Sequence, residues 1–276
     1  MNLSREFDVI VWGASGFTGR LVVIYLFNKY GVNGDLKWAM GGRNLNKLQK
    51  VRDEVANNDV ALVIADSNDK VSLLKMTNRT KVICTTVGPY AKYGSNLVEA
   101  CIESQIHYCD LAGEVQWMHK MINSYHESAK INGSKIVHTC GFDSIPSDMG
   151  VYFIQRESKD KTGEKAQEIK MRVAAISGGI SGGTYASLSR VLEEAQKDKT
   201  VYKILNNPYS LNPTIDQLGE DKPDLKSVIF DNASQSWIGP FIMASINTKV
   251  VRRSNYLSSY SYGKSFRYDE ATIFGK

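Results

Sequence analysis

The chain carries Gly13-Ala14-Ser15-Gly16-Phe17-Thr18-Gly19 directly after the apolar run Phe7–Trp12 and directly before Arg20 and the apolar residues 21–26. This order predicts a strand, a glycine turn and a helix. Three glycines at three-residue spacing allow a sharp turn, a close approach of backbone N–H groups to a pyrophosphate, and close packing of the helix on the strand. The helix N-terminus adds partial positive charge for phosphates. All seven residues are therefore expected to bind a dinucleotide.

The surroundings of the glycine turn strengthen this prediction, because a glycine string alone is a weak signal. A second strand-like run, residues 36–40, follows about twenty residues after the glycines, where a βαβ unit needs it. Helical periodicity between the two runs predicts an apolar helix face formed by Leu21, Ile24, Tyr25 and Asn28.

The residues after the second strand indicate which cofactor is bound. In NAD enzymes a carboxylate at this place accepts hydrogen bonds from the ribose, and it would repel the extra phosphate of NADP. Here the sequence is Gly41-Gly42-Arg43-Asn44, without a carboxylate, and Lys47 follows one turn later. The guanidinium of Arg43 is a planar charged fork that suits a phosphate. Arg43, Asn44 and Lys47 favour NADP(H) over NAD(H), with a solvated strand end and a charged helix face as the alternative.

Strands and helices continue to alternate through the first half of the chain. Further strands are predicted at residues 60–65, 81–86, 107–111 and 135–139, and helices at 44–57, 69–78, 95–104 and 115–132. Six strands with right-handed crossovers form a doubly wound parallel sheet, which is an α/β Rossmann fold. Ligands of such sheets bind at the carboxyl ends of the strands.

Two loops at these carboxyl ends are expected to contact the cofactor. Asp66 and Ser67 follow the third strand and are placed to touch the adenine, although Asp66 is equally suited to cap the next helix. The loop after the fourth strand is predicted to bring a bare backbone to the nicotinamide side, with a plain turn as the alternative. This loop consists of Thr86, Val87, Gly88 and Pro89.

Hydride transfer needs a group that gives a proton to the atom receiving charge. The candidates in the loops after the fourth, fifth and sixth strands are Tyr90, Tyr108, Asp110, Asp143 and Ser144. Each has a structural alternative: Asp143 can cap the helix that starts near Pro146, and Tyr108 can be buried in the sheet. His107 points to the opposite face from Tyr108 in a regular strand and is expected to be structural.

Composition excludes several classes of protein. The 276 residues are 42% hydrophobic and 23% charged, and the net charge of +5 is spread rather than collected, so nucleic acid binding is not expected. Four cysteines without a CxxC pair predict reduced core residues, no disulfide framework and no metal site. The N-terminus shows no signal peptide, and the apolar runs are far shorter than the roughly twenty residues that cross a bilayer. An intracellular protein, not a secreted one, is expected.

The second half has a different composition and is expected to form a mixed α+β domain for substrate binding or dimerisation. The predicted boundaries are 1–150 for the dinucleotide-binding domain and 151–276 for this second domain. Strand-like runs lie at 168–176, 226–230, 241–246 and 249–254, a helix at 184–195, and surface loops at 158–165 and 205–224. Trp237 is expected in the core, with an apolar pocket as the alternative.

The motifs together resemble the saccharopine dehydrogenase-like oxidoreductase family. They are the glycine turn, Gly42-Arg43-Asn44, residues 86–90, Tyr108-Cys109-Asp110-Leu111-Ala112-Gly113-Glu114, and residues 141–148. The chain is most similar to the eukaryotic branch and to the bacterial trans-acting enoyl reductases, and residues 177–187 look like that branch's next motif. Members usually continue well beyond a segment like 262–268, so part of the substrate pocket or of the membrane-facing surface is expected to be missing.

The resemblance implies a pyridine-nucleotide oxidoreductase in lipid or glycolipid metabolism, with a small-molecule or lipid-like substrate. It also implies a setting in the cytoplasm or on lipid-droplet or organelle membranes, and it leaves room for peripheral membrane contact and a homodimer. The expected reaction is NADP(H)-dependent hydride transfer to an apolar acyl, enoyl or related lipid-linked group. Two alternatives stay open: a non-catalytic NADP-binding protein on a lipid or protein surface, and a saccharopine reductase of lysine metabolism.

Overall fold

A computed structural model describes residues 5–32, 34–55, 59–177, 189, 191, 193–213 and 219–275. The chain divides into two compact units, Met1–Cys140 and Gly141–Lys276. The sequence placed the division at residue 150, which lies inside a helix that starts at Ile145. The first unit therefore ends with the loop that follows its last strand.

A six-stranded parallel sheet forms the centre of the first unit. Its strands are β1 (Phe7–Trp12), β2 (Trp38–Gly42), β3 (Ala61–Ile64), β4 (Thr80–Thr85), β5 (His107–Cys109) and β6 (Ile136–Val137). They lie in the order β3-β2-β1-β4-β5-β6, with every neighbouring pair parallel. This is the order of a doubly wound dinucleotide-binding sheet, as the sequence predicts. The helices are α1 (Phe17–Tyr30), α2 (Leu45–Val55), α3 (Lys70–Thr77), α4 (Tyr90–Tyr93), α5 (Ser95–Glu103) and α6 (Val115–Asn132).

Helix α1 buries a different face from the predicted one. Its buried residues are Gly19, Val23 and Leu26, whereas Leu21 and Tyr25 are 52% and 57% exposed. The reason is Gly19, which packs directly on the backbone of the glycine turn and so fixes the rotation of the helix about its axis. Positions four and seven residues later then face the sheet.

The second unit contains a mixed sheet of four strands in the order β7-β10-β9-β8. These strands are β7 (Glu168–Val173), β8 (Ile229–Asp231), β9 (Ser236–Pro240) and β10 (Arg267–Gly275). β10 is parallel to β7 and antiparallel to β9, and β9 is antiparallel to β8. The accompanying helices are α7 (Ile145–Thr162), α8 (Lys199–Asn206) and α9 (Ala244–Leu257).

Two predicted strands of the second unit, 241–246 and 249–254, are wrong because most of this stretch is helix α9. Most of its buried positions recur every three or four residues, and the full set is Ala244, Asn247, Thr248, Lys249, Val251, Arg252 and Asn255. Branched residues in this stretch suggested strands, but burial of one helical face in the tertiary structure overrides such propensity. The strand predicted at 226–230 begins only at Ile229.

Other expectations for the second unit also change. The loop predicted at 158–165 is largely the last turns of α7. In these turns Lys161 Nζ lies 3.1 Å from Glu157 Oε2. Asp221, in the loop predicted at 205–224, is buried rather than on the surface. Half of the Trp237 side chain is exposed, so it is not the expected core residue. Apart from residue 177, the motif at 177–187 lies outside the described residues, as does the start of the helix predicted at 184–195.

Among the described residues, no helix combines the length and the apolar character that a membrane crossing requires.

Candidate functional site

The turn between β1 and α1 can be built only with glycine at two of its positions. Gly13 has a φ of +89°, and a Cβ added there would lie 2.6 Å from Val87 Cγ2. A Cβ on Gly19 would lie 2.1 Å from the carbonyl oxygen of Gly13. Residues other than glycine rarely adopt the φ of Gly13, and the contact at Gly19 leaves no room for a Cβ atom. The turn therefore brings bare backbone to the carboxyl end of β1.

The N-terminus of α1 carries no side chain that would compete with an anion. Gly16 is the N-cap and makes no side-chain capping bond, and the first turn contains no acidic residue. Ser15, Gly16 and Phe17 are exposed, Thr18 is half-buried and Ala14 is buried. The first N–H groups of a helix have no partner within the helix. This end of α1 is therefore suited to a phosphate.

The end of β2 offers positive charge without a carboxylate. Arg43 is exposed, and its side chain makes no hydrogen bond or ion pair with the rest of the described chain. Asn44 Oδ1 accepts a hydrogen bond of 3.0 Å from the backbone N–H of Lys47, so Asn44 caps α2. Lys47 is exposed on the first turn of that helix. The guanidinium of Arg43 thus fits the phosphate that distinguishes NADP from NAD.

The loop after β3 folds back on itself. Asp66 Oδ1 accepts a hydrogen bond of 2.9 Å from the N–H of Asn68, whereas the cap of α3 is Asp69, which accepts from Val71. The alternative role expected for Asp66, that of helix cap, thus belongs to Asp69. Ser67 is 8% exposed. Its carbonyl oxygen accepts a 3.0 Å hydrogen bond from the Asn96 side chain.

The loop after β4 packs on the glycine turn. Thr86 Oγ1 lies 3.4 Å from the carbonyl oxygens of Trp12 and Gly13, and Val87 makes the close approach to Gly13 described above. The N–H of Val87 donates to Thr85 Oγ1 at 3.2 Å. Gly88 is exposed and Pro89 is the N-cap of α4. Two of the loops expected to hold the cofactor are therefore in direct contact.

A buried carboxylate organises the loop after β5. Asp110 is 1% exposed, and its Oδ1 accepts hydrogen bonds of 2.9 Å from the N–H groups of Ala112 and Thr139. Its Oδ2 accepts from the Tyr108 hydroxyl at 2.9 Å and lies 2.6 Å from His138 Nδ1. Four partners satisfy the carboxylate in a place where an unpaired charge would be costly.

His138 was not among the residues that sequence reasoning selected. It lies directly after β6, at the carboxyl end of the same sheet, so the rule that selected the neighbouring loops also applies to it. Its ring makes edge contacts with Trp117 and Tyr108, at centroid distances of 5.1 and 5.9 Å. Because Asp110 engages Nδ1, Nε2 is the nitrogen left for other chemistry.

Tyrosines 108 and 90 hold their protons firmly. Burial, together with the charge of Asp110, raises the pKa of Tyr108 well above its usual value. Burial likewise raises the pKa of Tyr90, whose hydroxyl donates to the Thr85 carbonyl at 3.3 Å and accepts from the N–H of Leu111 at 3.1 Å. Both hydroxyl groups are part of the internal hydrogen bonding of the first unit.

A second buried carboxylate, which sequence reasoning did not select, joins two of these loops. Glu114 is fully buried, and its two oxygens accept hydrogen bonds of 2.7 and 2.9 Å from the N–H groups of Tyr90 and Ala91. It thereby caps α4 from the loop that precedes α6.

The remaining candidates, Asp143 and Ser144, lie in the second unit. Ser144 is buried and donates to Asn247 Oδ1 at 2.7 Å, while the Asn247 amide donates to the carbonyl oxygen of Asp143 at 2.9 Å. The N-cap of α7 is Ser144, without a side-chain capping bond, so the structure does not use Asp143 as the cap. The side chain of Asp143 is exposed.

The parallel sheet, the glycine turn after β1 and the absence of a carboxylate after β2 define a Rossmann-type dinucleotide-binding domain. Residues 9–137 match the saccharopine dehydrogenase NADP binding domain. The chain belongs to the saccharopine dehydrogenase-like oxidoreductase family, and its first unit is an NADP-binding domain.

Relatives of this chain occur in mycobacteria. A trans-acting enoyl reductase of Mycobacterium ulcerans is 36% identical over 283 residues, which is 99% of this chain and 66% of the relative. The trans-acting enoyl reductase of Mycobacterium tuberculosis H37Rv has the same identity and coverage. The chain thus spans 66% of the length of these relatives.

Solved structures with a similar arrangement are more distant. Saccharopine dehydrogenase (L-Glu forming) of Saccharomyces cerevisiae is 17% identical, with 61% of this chain and 35% of that chain covered and a TM-score of 0.43. A triphenylmethane reductase of Citrobacter sp., complexed with NADP(H), is 16% identical, with 67% and 65% covered and a TM-score of 0.40.

Proposed function

We propose that this protein is an NADP(H)-dependent oxidoreductase that transfers hydride to an apolar acyl, enoyl or related lipid-linked substrate. The observation that carries the proposal is the pairing of an uncapped helix N-terminus at the glycine turn with the partnerless Arg43 after β2. The names of the mycobacterial relatives support the substrate class. NADPH, when bound, supplies the hydride.

Each loop has its own task in this proposal. Residues 13–19 bind the pyrophosphate through backbone N–H groups and the N-terminus of α1. Arg43 and Lys47 bind the phosphate on the adenosine ribose, and Asn44 keeps that helix start in place. Asp66 and Ser67 lie beside the adenine. Residues 86–89 hold the nicotinamide side, where the side chains of Thr86 and Val87 pack on the glycine turn.

Proton transfer is assigned to His138, with Asp110 as its positioning residue. The carboxylate of Asp110 fixes the imidazole through Nδ1 and leaves Nε2 for the substrate, which is the logic of an Asp–His pair in acid–base catalysis. Tyr108 and Tyr90 are weaker candidates because their raised pKa values oppose proton release. Asp143 and Ser144 of the second unit remain candidates for contact with the substrate.

A second candidate function is a non-catalytic NADP-binding protein on a lipid or protein surface. It is favoured by the internal bonding of Tyr90, Tyr108 and Asp110, which leaves none of them free to act as an acid. It predicts cofactor binding without turnover. Within the described residues, no observation favours the saccharopine reductase alternative.

Calorimetric titration with NADPH and NADH tests the cofactor assignment. Arg43→Ala should weaken NADPH binding about tenfold to a hundredfold, which is roughly 1.4–2.8 kcal/mol, and leave NADH binding unchanged. Arg79→Ala is the matched control, because Arg79 is exposed and pairs with Glu6 before the start of β4. Equal losses for both nucleotides would remove Arg43 from the phosphate site. Failure of both to bind wild type would reject the proposal.

Turnover separates the two candidate functions. NADPH oxidation is followed with trans-2-enoyl thioesters of increasing chain length, and an enzyme of this class should prefer the longer, more apolar ones. His138→Asn should lower the rate about a hundredfold at unchanged NADPH affinity. His126→Asn, on the outer part of α6, is the control. Tight NADPH binding without oxidation of any thioester would favour the non-catalytic alternative.

Contact with membranes and self-association complete the proposal. Family resemblance supports peripheral binding to a membrane or lipid droplet and a homodimer. Flotation with phosphatidylcholine vesicles and with triacylglycerol droplets tests the first, and light scattering of the purified chain tests the second. If the protein floats with neither the vesicles nor the droplets, the proposed contact with a lipid surface is wrong, and the substrate must reach the protein without it.

A further inference from the structure

Three of the four cysteines meet at the carboxyl edge of the first sheet, although they are far apart in sequence. Cys84 in β4 and Cys109 in β5 are register partners on neighbouring parallel strands. Cys140 Sγ lies 3.6 Å from the carbonyl oxygen of Val137, which is the register partner of Cys109, and the side chains of Cys84 and Cys140 both influence the Cys109 thiol. These three residues are partly exposed, whereas Cys101 is fully buried. The expectation of four core thiols therefore holds for Cys101 alone.

We propose that Cys109 and Cys140 form a peroxide-reactive pair, in which Cys140 is oxidised to a sulfenic acid and Cys109 converts it to a disulfide. Nothing in the proposed oxidoreductase reaction uses these thiols. Among the described residues, no group of three or more His, Cys, Asp and Glu side chains is arranged to hold a metal ion.

Local geometry favours Cys140 over Cys84 as the partner of Cys109. Cys84 and Cys109 are held side by side by the strand ladder, where neighbouring strands lie about 4.8 Å apart. A disulfide between them would have to form inside the ladder, where neither backbone can shift without disturbing the hydrogen bonds between β4 and β5. Cys140 lies three residues beyond the end of β6, with its sulfur 3.6 Å from the carbonyl oxygen of Val137, the register partner of Cys109. Its backbone is outside the ladder and can adjust.

The electrostatics assign the two roles. The hydrogen bond from the Cys109 thiol lowers the pKa of Cys140 and raises that of Cys109, while burial and the nearby charge of Asp110 oppose the first effect. A thiolate is the form that attacks peroxide. The lowered pKa of Cys140 and its position outside the strand ladder together make it the attacking sulfur, and Cys109 stays protonated until the second step.

The reaction is balanced with hydrogen peroxide as the oxidant. The Cys140 thiolate attacks one peroxide oxygen, so an S–O bond forms, the O–O bond breaks and hydroxide leaves. The Cys109 sulfur then attacks the Cys140 sulfur, so the S–S bond forms and the S–O bond breaks. The departing oxygen leaves as water with the Cys109 proton. Two thiols are oxidised and one peroxide is reduced.

Peptide mapping of the full chain tests the proposal. The reduced protein is treated with one equivalent of hydrogen peroxide, alkylated and digested with trypsin. We expect a loss of two hydrogen atoms in intact mass, reversed by dithiothreitol, and a peptide linked through Cys109 and Cys140. Cys101 and Cys109 share the tryptic peptide 93–120, so fragmentation must assign the link. A Cys84–Cys109 link, or four unmodified thiols, would overturn the proposal.

Variants separate the two steps. In Cys109→Ser, the sulfenic acid has no partner, so dimedone should label Cys140. The label should disappear in Cys109→Ser with Cys140→Ser. Cys84→Ser is the matched control and should retain the Cys109–Cys140 link. Loss of the link in Cys84→Ser, or dimedone on Cys101 as strongly as on Cys140, would contradict the assignment. Because mapping of wild type is decisive by itself, a variant that fails to fold does not leave the question open.

Discussion

The two units bury charge in different places. In the described part of the first unit the buried carboxylates are Asp110 and Glu114, both in the loop after β5, whereas the core cluster around Val11 and Met40 is apolar. In the second unit, Arg252 is buried within the core itself. Buried ionisable groups thus lie at the carboxyl edge of the sheet in the first unit and within the core in the second. Burial of charge alone does not identify a functional site.

Arg252 shows how the second unit uses its buried charge. The guanidinium donates to Asp221 Oδ2 at 2.8 Å, to Thr248 Oγ1 at 3.1 Å and to the carbonyl oxygen of Tyr268 at 3.2 Å. Asp221 Oδ1 in turn accepts from the N–H of Tyr268 at 2.8 Å. An irregular segment, helix α9 and strand β10 are thereby joined through one ion pair whose side chains are 4% and 3% exposed.

Removal of this ion pair should have the largest effect. Arg252→Met leaves the buried carboxylate of Asp221 without a cationic partner, so we expect a loss of about 3–5 kcal/mol in the free energy of unfolding. Urea denaturation measures it. Lys161→Met, which breaks the exposed Glu157–Lys161 pair, is the control and should change stability by less than about 0.5 kcal/mol. A loss that small in Arg252→Met would mean that the second unit is not held by its buried charges.

Lys249 should give the second unit a pH dependence of its own. Burial lowers the pKa of Lys249 to about 8, below its value in the unfolded chain. Between about pH 8 and 10.5 the unfolded chain binds the extra proton, so wild type should gain stability relative to Lys249→Met as pH rises. The gain is bounded by about 3 kcal/mol, and denaturant midpoints across this range measure it. Parallel curves for the two proteins would show that this ammonium group is solvated.

Gly19 tests the packing of the first unit. An added methyl group would meet the Gly13 carbonyl, so Gly19→Ala should cost about 1–3 kcal/mol and weaken NADPH binding. In the second unit, Gly150 of α7 has open space around its missing Cβ, and Gly150→Ala should stabilise by up to about 1 kcal/mol. Thermal melts and calorimetry compare the two. If both variants stabilise the chain, the contact of α1 with the glycine turn is not tight.

Tyr108 provides the smallest expected change. Tyr108→Phe removes one of the four partners of Asp110 and should cost about 1–2 kcal/mol. Tyr202→Phe, on the exposed face of α8, should be neutral within about 0.5 kcal/mol. Urea denaturation applied to both variants compares a buried hydroxyl at the sheet edge with a solvated one. A neutral Tyr108→Phe would mean that the other three partners suffice for the carboxylate.

The sequence predicted the first unit well because its signals are local. Apolar runs, the glycine turn and the alternation of elements each lie within a few residues, and they specify a parallel sheet. The prediction of the buried face of α1 was wrong because this helix has more apolar residues than one face can bury. The selection of Gly19 as a buried position depends on a backbone contact that side-chain hydropathy does not register.

The second unit and the site required partners that local patterns cannot identify. The buried face of α9 includes polar residues such as Asn247 and Thr248, which hydrophobic periodicity passes over. His138 and Glu114 acquire their roles from partners 28 and 24 residues away in sequence. The positions of the predicted strands indicated that the loops after β5 and β6 could contribute to a site. They could not show which side chains of these loops contact each other.

The bond between Glu114 and the start of α4 has a consequence for protein engineering. A carboxylate from one loop holds the backbone of another, through the N–H groups of Tyr90 and Ala91. The two loops are therefore one unit of exchange. A chimera that takes the loop after β4 from a relative should also take that relative's residue at position 114. A library that varies only one of the two loops would mostly contain variants in which this hydrogen bonding is lost.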